Sequence, residues 1–365
     1  MKIGILTFHC AHNYGAVLQA YALQEYLRSK GYEVRIIDYR PKALVSYYKL
    51  FDVRYCLSLK TFLSKALLYL VAKKRAMNFE RFIQTRLQLE QICLDSSDND
   101  YDVFIFGSDQ IWNPHLLKGF DKVYFGEFHA ALGKKCVAYA ASMGKTALTS
   151  YEHEFLENAL KAFHAISVRE SSLKKLLVPL TDKPISVVAD PTFLLDRDYW
   201  EKMVLKLKIQ KPYVLVYQVV KDPNTLRIAS HIAQQIGGEI VELKAVLSLL
   251  HQSPYQCASP EAFVSYFKYA ACVVTTSFHG TAFSIIFQRP FYTLKLNTRV
   301  DARSEALLNQ LTLMDRMVDK NAIVTFSEID YSKTLPFFES MRSASASFLT
   351  SSLEVNDLSF NRQDQ

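Results

Sequence analysis

Short, wholly apolar runs alternate along the chain with longer stretches whose apolar residues return every three or four positions. That is the pattern of buried parallel strands separated by helices. Lys2–Phe8 reads as a strand, His9–Gly15 as a loop, and Ala16–Ser29 as a helix with Val17, Tyr21, Leu23 and Leu27 on or near one face. Gly31 stops that helix and Glu33–Asp38 is a second strand, so the chain opens with a β-α-β unit and its right-handed crossover. Leu57–Leu89 reads as helical and basic, with Lys73, Lys74 and Arg75 clustered. Strands return at Tyr101–Phe106, Lys135–Ala141, Ala165–Val168 and Ile185–Val188, with helices such as Ser150–Ala162 and Ser171–Leu177 between most of them. After DPTFLLDRDYWEKM, read as a domain joint, a second series begins. Its strands are Tyr213–Val219, Glu239–Leu243, Cys272–Thr276 and Pro290–Leu296, and its helices Pro223–Ile236, Pro260–Tyr269 and Thr281–Phe287. Lys333–Ser352 reads as a terminal helix packing back on the first half.

Two Rossmann-like α/β domains facing one cleft follow from this pattern, with ligands expected at the carboxyl ends of the strands. The division is residues 1–200 and 201–332, with 333–365 as helix and tail. A length of 365 residues suits two domains better than one.

Composition narrows the partners. Half of the residues are apolar and the net charge is +7, which fits a solvated surface or attraction to an anionic substrate or membrane face. No arginine-rich arm, zinc finger or RNP-type aromatic motif supports nucleic-acid binding. The six cysteines lie far apart without a CxxC pair, which points to a reducing compartment. MKIGILTFHC lacks the apolar core of a signal peptide, and Leu57–Ala72 is too short and too charged to cross a bilayer. The Leu57–Leu89 segment has two readings: a surface-lying helix that reaches an anionic membrane, or a helix packed on the sheet with a solvated basic face.

Four segments at strand-to-helix junctions carry polar chemistry. In TFHCAHNYGAVLQAYAL, Asn13 and Gly15 suit a tight turn before a helix N-terminus that faces an anion or a sugar hydroxyl. His9 and His12 have no acidic partner at ligand spacing, so a zinc site is not expected. GSDQIWNP places Ser108, Asp109, Gln110, Trp112 and Asn113 after an apolar strand. The set either binds a sugar, with the indole on a ring face, or is a capped helix start with Trp112 in the core. Arg169, in ISVRES, clamps a phosphate or carboxylate, or pairs with an acid such as Glu170. TTSFHGTAFS gathers hydroxyls around His279 at a strand end, where helix amides can hold phosphate beside an imidazole. No GxGxxG or Walker A sequence occurs.

In this order NYGAVLQAYAL, GSDQIWNP, SVRES, ADPTFLL and SFHGTAFSIIFQRPF resemble the polysaccharide pyruvyl transferase family over about residues 1–330. The resemblance implies a glycosyltransferase-B-like pair of Rossmann-type domains, phosphoenolpyruvate as co-substrate, and a cyclic pyruvate ketal on a surface glycan or its lipid-linked precursor. No metal or other cofactor is implied. The cysteines point to the cytoplasm, and peripheral contact at the inner membrane face is one of the two readings of Leu57–Leu89. His279 and Arg169 match the donor-serving residues, with Ser277, Phe278, Gly280 and Thr281 around them. Some members carry an arginine where this chain has Ser277, and Arg299 and Arg303 are candidates to replace its charge. Asp109 is expected as base, with Asn13, Tyr14, Gly15, Ser108, Gln110, Trp112 and Asn113 on the acceptor side. The competing expectation is a nucleotide-sugar-dependent glycosyltransferase of the same shape.

Overall fold

A computed structural model describes residues 1–48, 59–145, 147–245, 253–297 and 301–354. The first half contains β1 (Lys2–Leu6), α1 (Tyr14–Ser29), β2 (Glu33–Ile37), α2 (Lys42–Tyr48), α3 (Leu59–Arg86), β3 (Leu89–Glu90), β4 (Val103–Phe106) and α4 (Pro114–Leu117). It continues with β5 (Lys135–Ala141), α5 (Ser150–Ala159), β6 (Ala165–Val168), α6 (Ser171–Leu177), β7 (Ile185–Val187) and α7 (Arg197–Glu201). The second half runs β8 (Tyr213–Gln218), α8 (Pro223–Gln235), β9 (Glu239–Lys244), α9 (Pro260–Tyr269), β10 (Cys272–Thr275), α10 (Phe278–Ile286), β11 (Phe291–Lys295), α11 (Asp301–Gln310), β12 (Met317–Asp319) and α12 (Leu335–Leu353).

Two parallel sheets result: one of seven strands in the order β3-β2-β1-β4-β5-β6-β7, and one of five in the order β12-β11-β10-β8-β9. The central strands VFIF and CVVT are buried along their whole length, as strands covered by helices on both faces must be. In each sheet the order reverses once, between β1 and β4 and between β8 and β10. The carboxyl ends of those four strands are where such sheets bind ligands. The chain is thus an α/β protein with two Rossmann-like sheets facing a cleft, the glycosyltransferase-B-like arrangement.

A continuous apolar core joins the halves through α1, which is buried on nearly every side. Tyr14 stacks on Phe263 with ring centroids 4.4 Å apart, and Trp200 meets Phe283 edge-on at 4.9 Å. The DPTFLLDRDYWEKM segment is not an exposed linker, because Phe193 and Trp200 are fully buried in this shared core. Helix α12 returns to the first sheet, where Ser345 Oγ accepts a hydrogen bond from the Ala189 amide at 2.8 Å.

Three differences from the sequence reading matter for function. Helix α10 starts at Phe278 rather than Thr281, because Ser277 caps it, so His279 stands in the first helical turn. Helix α11, which carries Arg303, lies in a stretch to which no element had been assigned. Finally, Arg75 does not belong to a solvated basic face. Its guanidinium is buried and donates to the backbone carbonyls of Lys244, Ala245 and Gln256, tying α3 to the second half, while Lys73 and Lys74 remain exposed. No helix among the described residues is long and apolar enough to cross a membrane.

Candidate functional site

A cavity of about 230 Å³ opens between the sheets at the switch points, lined by Asn13, Asp109, Gln110, Ser277, His279 and Arg303 among others. Asn13 caps α1, its Oδ1 accepting from the amides of Gly15 at 2.9 Å and Ala16 at 3.3 Å. That cap fixes Gly15 in the first turn, directly against His279. A Cβ built on Gly15 would overlap the imidazole at Nδ1 and Cε1, so a glycine is what allows the ring of one half to seat on the helix of the other. Gly15→Ala is therefore expected to fold but displace the ring. Misplacement of a reacting group by about 1 Å costs up to roughly 10²-fold in rate. Turnover should fall by about that factor while the circular dichroism spectrum is kept, and an unimpaired variant would show that the seat is not needed.

His279 is largely buried, and its Nε2 lies 3.5 Å from Asp190 Oδ2, without a hydrogen-bond partner among the described residues. Asp190 follows β7 and is fully buried. Its Oδ1 accepts from the Thr192 amide at 3.0 Å and hydroxyl at 2.8 Å, and its Oδ2 from Arg169 Nη1 at 2.7 Å. Burial alone would raise the Asp190 carboxyl, but His279 and Arg169 outweigh it and hold it well below the ordinary carboxylate range.

Arg169, at the end of β6, makes two further ionic contacts, from Nε to Glu170 at 3.3 Å and from Nη2 to Asp109 at 3.7 Å. Burial alone would lower its proton affinity, but Glu170, Asp190 and Asp109 raise it above that of an ordinary arginine. Its Nη2 still has no hydrogen-bond partner among the described residues. The guanidinium carbon stands 5.2 Å from the Phe278 ring centroid, and that of Arg303 stands 5.8 Å from the same centroid. Arg303 makes no ion pair with a described residue. Burial and the nearby Arg169 charge pull it below its ordinary value, against the opposing pull of Glu170, Asp109 and Asp190. On the other side of Phe278 and Arg303, a second cavity of about 280 Å³ reaches Ser171 and Gln310.

Asp109 keeps its carboxylate at the cavity wall with φ at 75°, a left-handed conformation that aspartate tolerates better than most residues. Gln110 also lines the cavity and accepts from Asn113 Nδ2 at 3.1 Å. Several expected acceptor-side residues have other work. Trp112 is fully buried, stacked on Phe125, and donates to the Tyr124 carbonyl, so its indole is core and cannot meet a sugar face. Ser108 is buried with its hydroxyl on the Ala140 carbonyl. Asn113 caps α4, and the Tyr14 hydroxyl donates to the Ala258 carbonyl across the halves.

On the donor side, Thr281 is buried and exchanges a hydrogen bond with Thr293, and Gly280 is the close approach of α10 to Thr275. Ser277 caps α10 at the cavity, while Arg299 lies outside the described residues. Asp190 is the site residue that the sequence reading passed over as part of a joint. An acid immediately before a proline at a strand end was the available signal.

No curated protein matches the chain in sequence. In structure it is similar to the UDP-N-acetylglucosamine 2-epimerase of Rickettsia bellii (9% identity, 96% of each chain covered, TM-score 0.42). It is also similar to that of Neisseria meningitidis bound to UDP-GlcNAc (9% identity, 98% of this chain and 95% of that chain covered, TM-score 0.41), and to that of Methanocaldococcus jannaschii (11% identity, 94% and 93% covered, TM-score 0.41). The family model for polysaccharide pyruvyl transferase matches residues 13–297, which include the Asn13 cap, the Asp109 loop, Arg169, Asp190 and His279. The chain belongs to the polysaccharide pyruvyl transferase family.

Proposed function

We propose that the protein transfers the enolpyruvyl group of phosphoenolpyruvate to a sugar of a surface glycan or its lipid-linked precursor, closing a cyclic ketal and releasing phosphate. The observation that carries this reading is one cavity that holds His279, Asp109 and Arg303, a cation without an ionic partner among the described residues. A donor with a phosphate and a carboxylate gives Arg303 an anionic partner. Arg303 and the first amides of α10 are its receptors, with Arg169 behind them, where its buried Nη2 lies 3.7 Å from Asp109 and its side chain borders the second cavity.

His279 delivers a proton to the methylene carbon, which becomes the methyl group, and C2 becomes an oxocarbenium-like centre. A first sugar hydroxyl adds to C2 and loses its proton to Asp109. The bond from C2 to the phosphate oxygen then breaks, and a second hydroxyl adds to C2 and closes the ring. Of the two hydroxyl protons, one replaces the proton given up by His279 and the other leaves on phosphate. The residues that act need no metal for this sequence.

The cytoplasm is the compartment we assign, since the described cysteines form no disulfide with one another. The exposed face of α3, with Leu70, Lys73, Lys74 and Met77, is proposed to rest on the anionic inner leaflet. Liposome flotation checks this. Recovery should be higher with anionic than neutral vesicles and should fall on reversing Lys73 and Lys74, whereas equal recovery removes the contact. The main reading is tested by phosphate release from phosphoenolpyruvate with a panel of synthetic glycosides. Release that depends on one acceptor supports it. Indifference to phosphoenolpyruvate together with turnover of a nucleotide sugar replaces it with a glycosyltransferase.

A further inference from the structure

We infer that Asp190 is the positioning residue of the site, which holds His279 with its Nε2 protonated and leaves Nδ1 to exchange the catalytic proton. The inference deepens the proposed function and rests on His279 being its acid.

The geometry starts from one oxygen. Oδ2 of Asp190 lies 2.7 Å from Arg169 Nη1 and 3.5 Å from His279 Nε2, so the guanidinium and the imidazole face the same atom. The carboxylate cannot turn away, because Oδ1 is already engaged by the amide and hydroxyl of Thr192, whose own carbonyl accepts from the Trp200 indole at 3.1 Å. An acceptor-only group fixed beside a ring nitrogen favours a proton on that nitrogen. Nε2 is buried and has no hydrogen-bond partner among the described residues, so Asp190 is the acceptor within its reach. The ring itself lines the cavity, and Gly15 packs over its face at Nδ1. An imidazolium that gives its Nδ1 proton to the donor is then left as the Nε2-protonated neutral form, the one that Asp190 favours.

Asp190 also connects elements that the chain must bring together. It stands in the first half with Arg169, while His279 belongs to α10 of the second. A carboxylate that is held so rigidly sets the ring of one half against the anion-binding arginine of the other.

Asp190→Asn tests this. The amide has one acceptor oxygen where the carboxylate has two. If that oxygen serves Thr192, its NH₂ faces Arg169 and His279, and Nε2 must become an acceptor. Turnover on phosphoenolpyruvate and glycan should fall by about 10²-fold or more, with the donor KM changed by less than about tenfold. Nitrogen-15 spectra of histidine-labelled protein, with the His279 signal identified by its loss in His279→Gln, should show an Nε2-protonated ring in the wild type. In Asp190→Asn the population should shift toward Nδ1–H. A wild type with Nδ1–H overturns the inference without recourse to any variant. A variant that loses turnover with its tautomer unchanged also overturns it, and so does one with normal turnover. A wild type that ignores phosphoenolpyruvate defeats the proposed function instead.

Discussion

His279→Gln is expected to lose at least about 10²-fold, and up to 10⁴-fold, in turnover, because general acid catalysis supplies that much and glutamine has no proton to give at neutral pH. Glutamine is close in size, and the Gly15 seat and the α10 cap remain, so the variant should fold. Donor KM should rise far less than turnover falls, since Arg303, Arg169 and the helix amides persist. Steady-state kinetics on phosphoenolpyruvate with a saturating glycan acceptor measure both constants. Near-normal turnover would remove His279 from proton delivery and leave the cavity with no other histidine in its lining.

Arg169→Ala should have the largest combined effect on stability and activity. Arg169 makes ion pairs with Asp109, Glu170 and Asp190 together. Removing one partner of a buried ion pair costs about 3–5 kcal/mol, because the partner charge stays buried without compensation. Loss of its charge-assisted contact with donor should weaken donor use by a further ten- to hundredfold, roughly. Arg169→Lys should recover only part, since an ammonium cannot span separate carboxylates as a planar fork does. The pH dependence supplies a second check with a definite sign. Asp190 has a lower pKa folded than unfolded, so it adds stability above the unfolded value near 4, and that stability is lost as the pH falls toward the folded value. Without Arg169 the depression shrinks, so the stability gap between wild type and Arg169→Ala should narrow below about pH 4. Denaturant titrations at pH 7, 4 and 3 measure it, and a gap constant with pH would mean that Arg169 is not what holds Asp190 ionised.

Much of the fold was readable because buried parallel strands are short apolar runs with few alternatives. Lys135–Ala141, Ala165–Val168 and Pro260–Tyr269 have the ends that the sequence suggested. Boundaries moved where a side chain caps a helix, as Asn13 and Ser277 do, since a cap is a single polar residue without periodicity. For the site, Asp109, Arg169 and His279 were visible as polar residues at strand ends, and all three come together. What the sequence could not show is which way a side chain turns. Trp112 and Ser108 sit in the same loop as Asp109 yet point into the core, and Tyr14 beside Asn13 serves the junction between halves. Asp190 escaped notice because its partners, Arg169 and His279, are 21 and 89 positions away in the chain. Arg303 was a candidate for its charge alone, and its place over Phe278 depends on a helix with a weak apolar pattern.

The most direct test of the central claim is to run the reaction in heavy water with unlabelled phosphoenolpyruvate and an accepted glycan, and to read the product methyl group by NMR. Protonation of the methylene carbon by His279 predicts a ketal methyl that carries one solvent-derived deuterium, formed in equal amount with released phosphate. A ketal methyl without deuterium, or phosphate released with no ketal formed, would contradict the account.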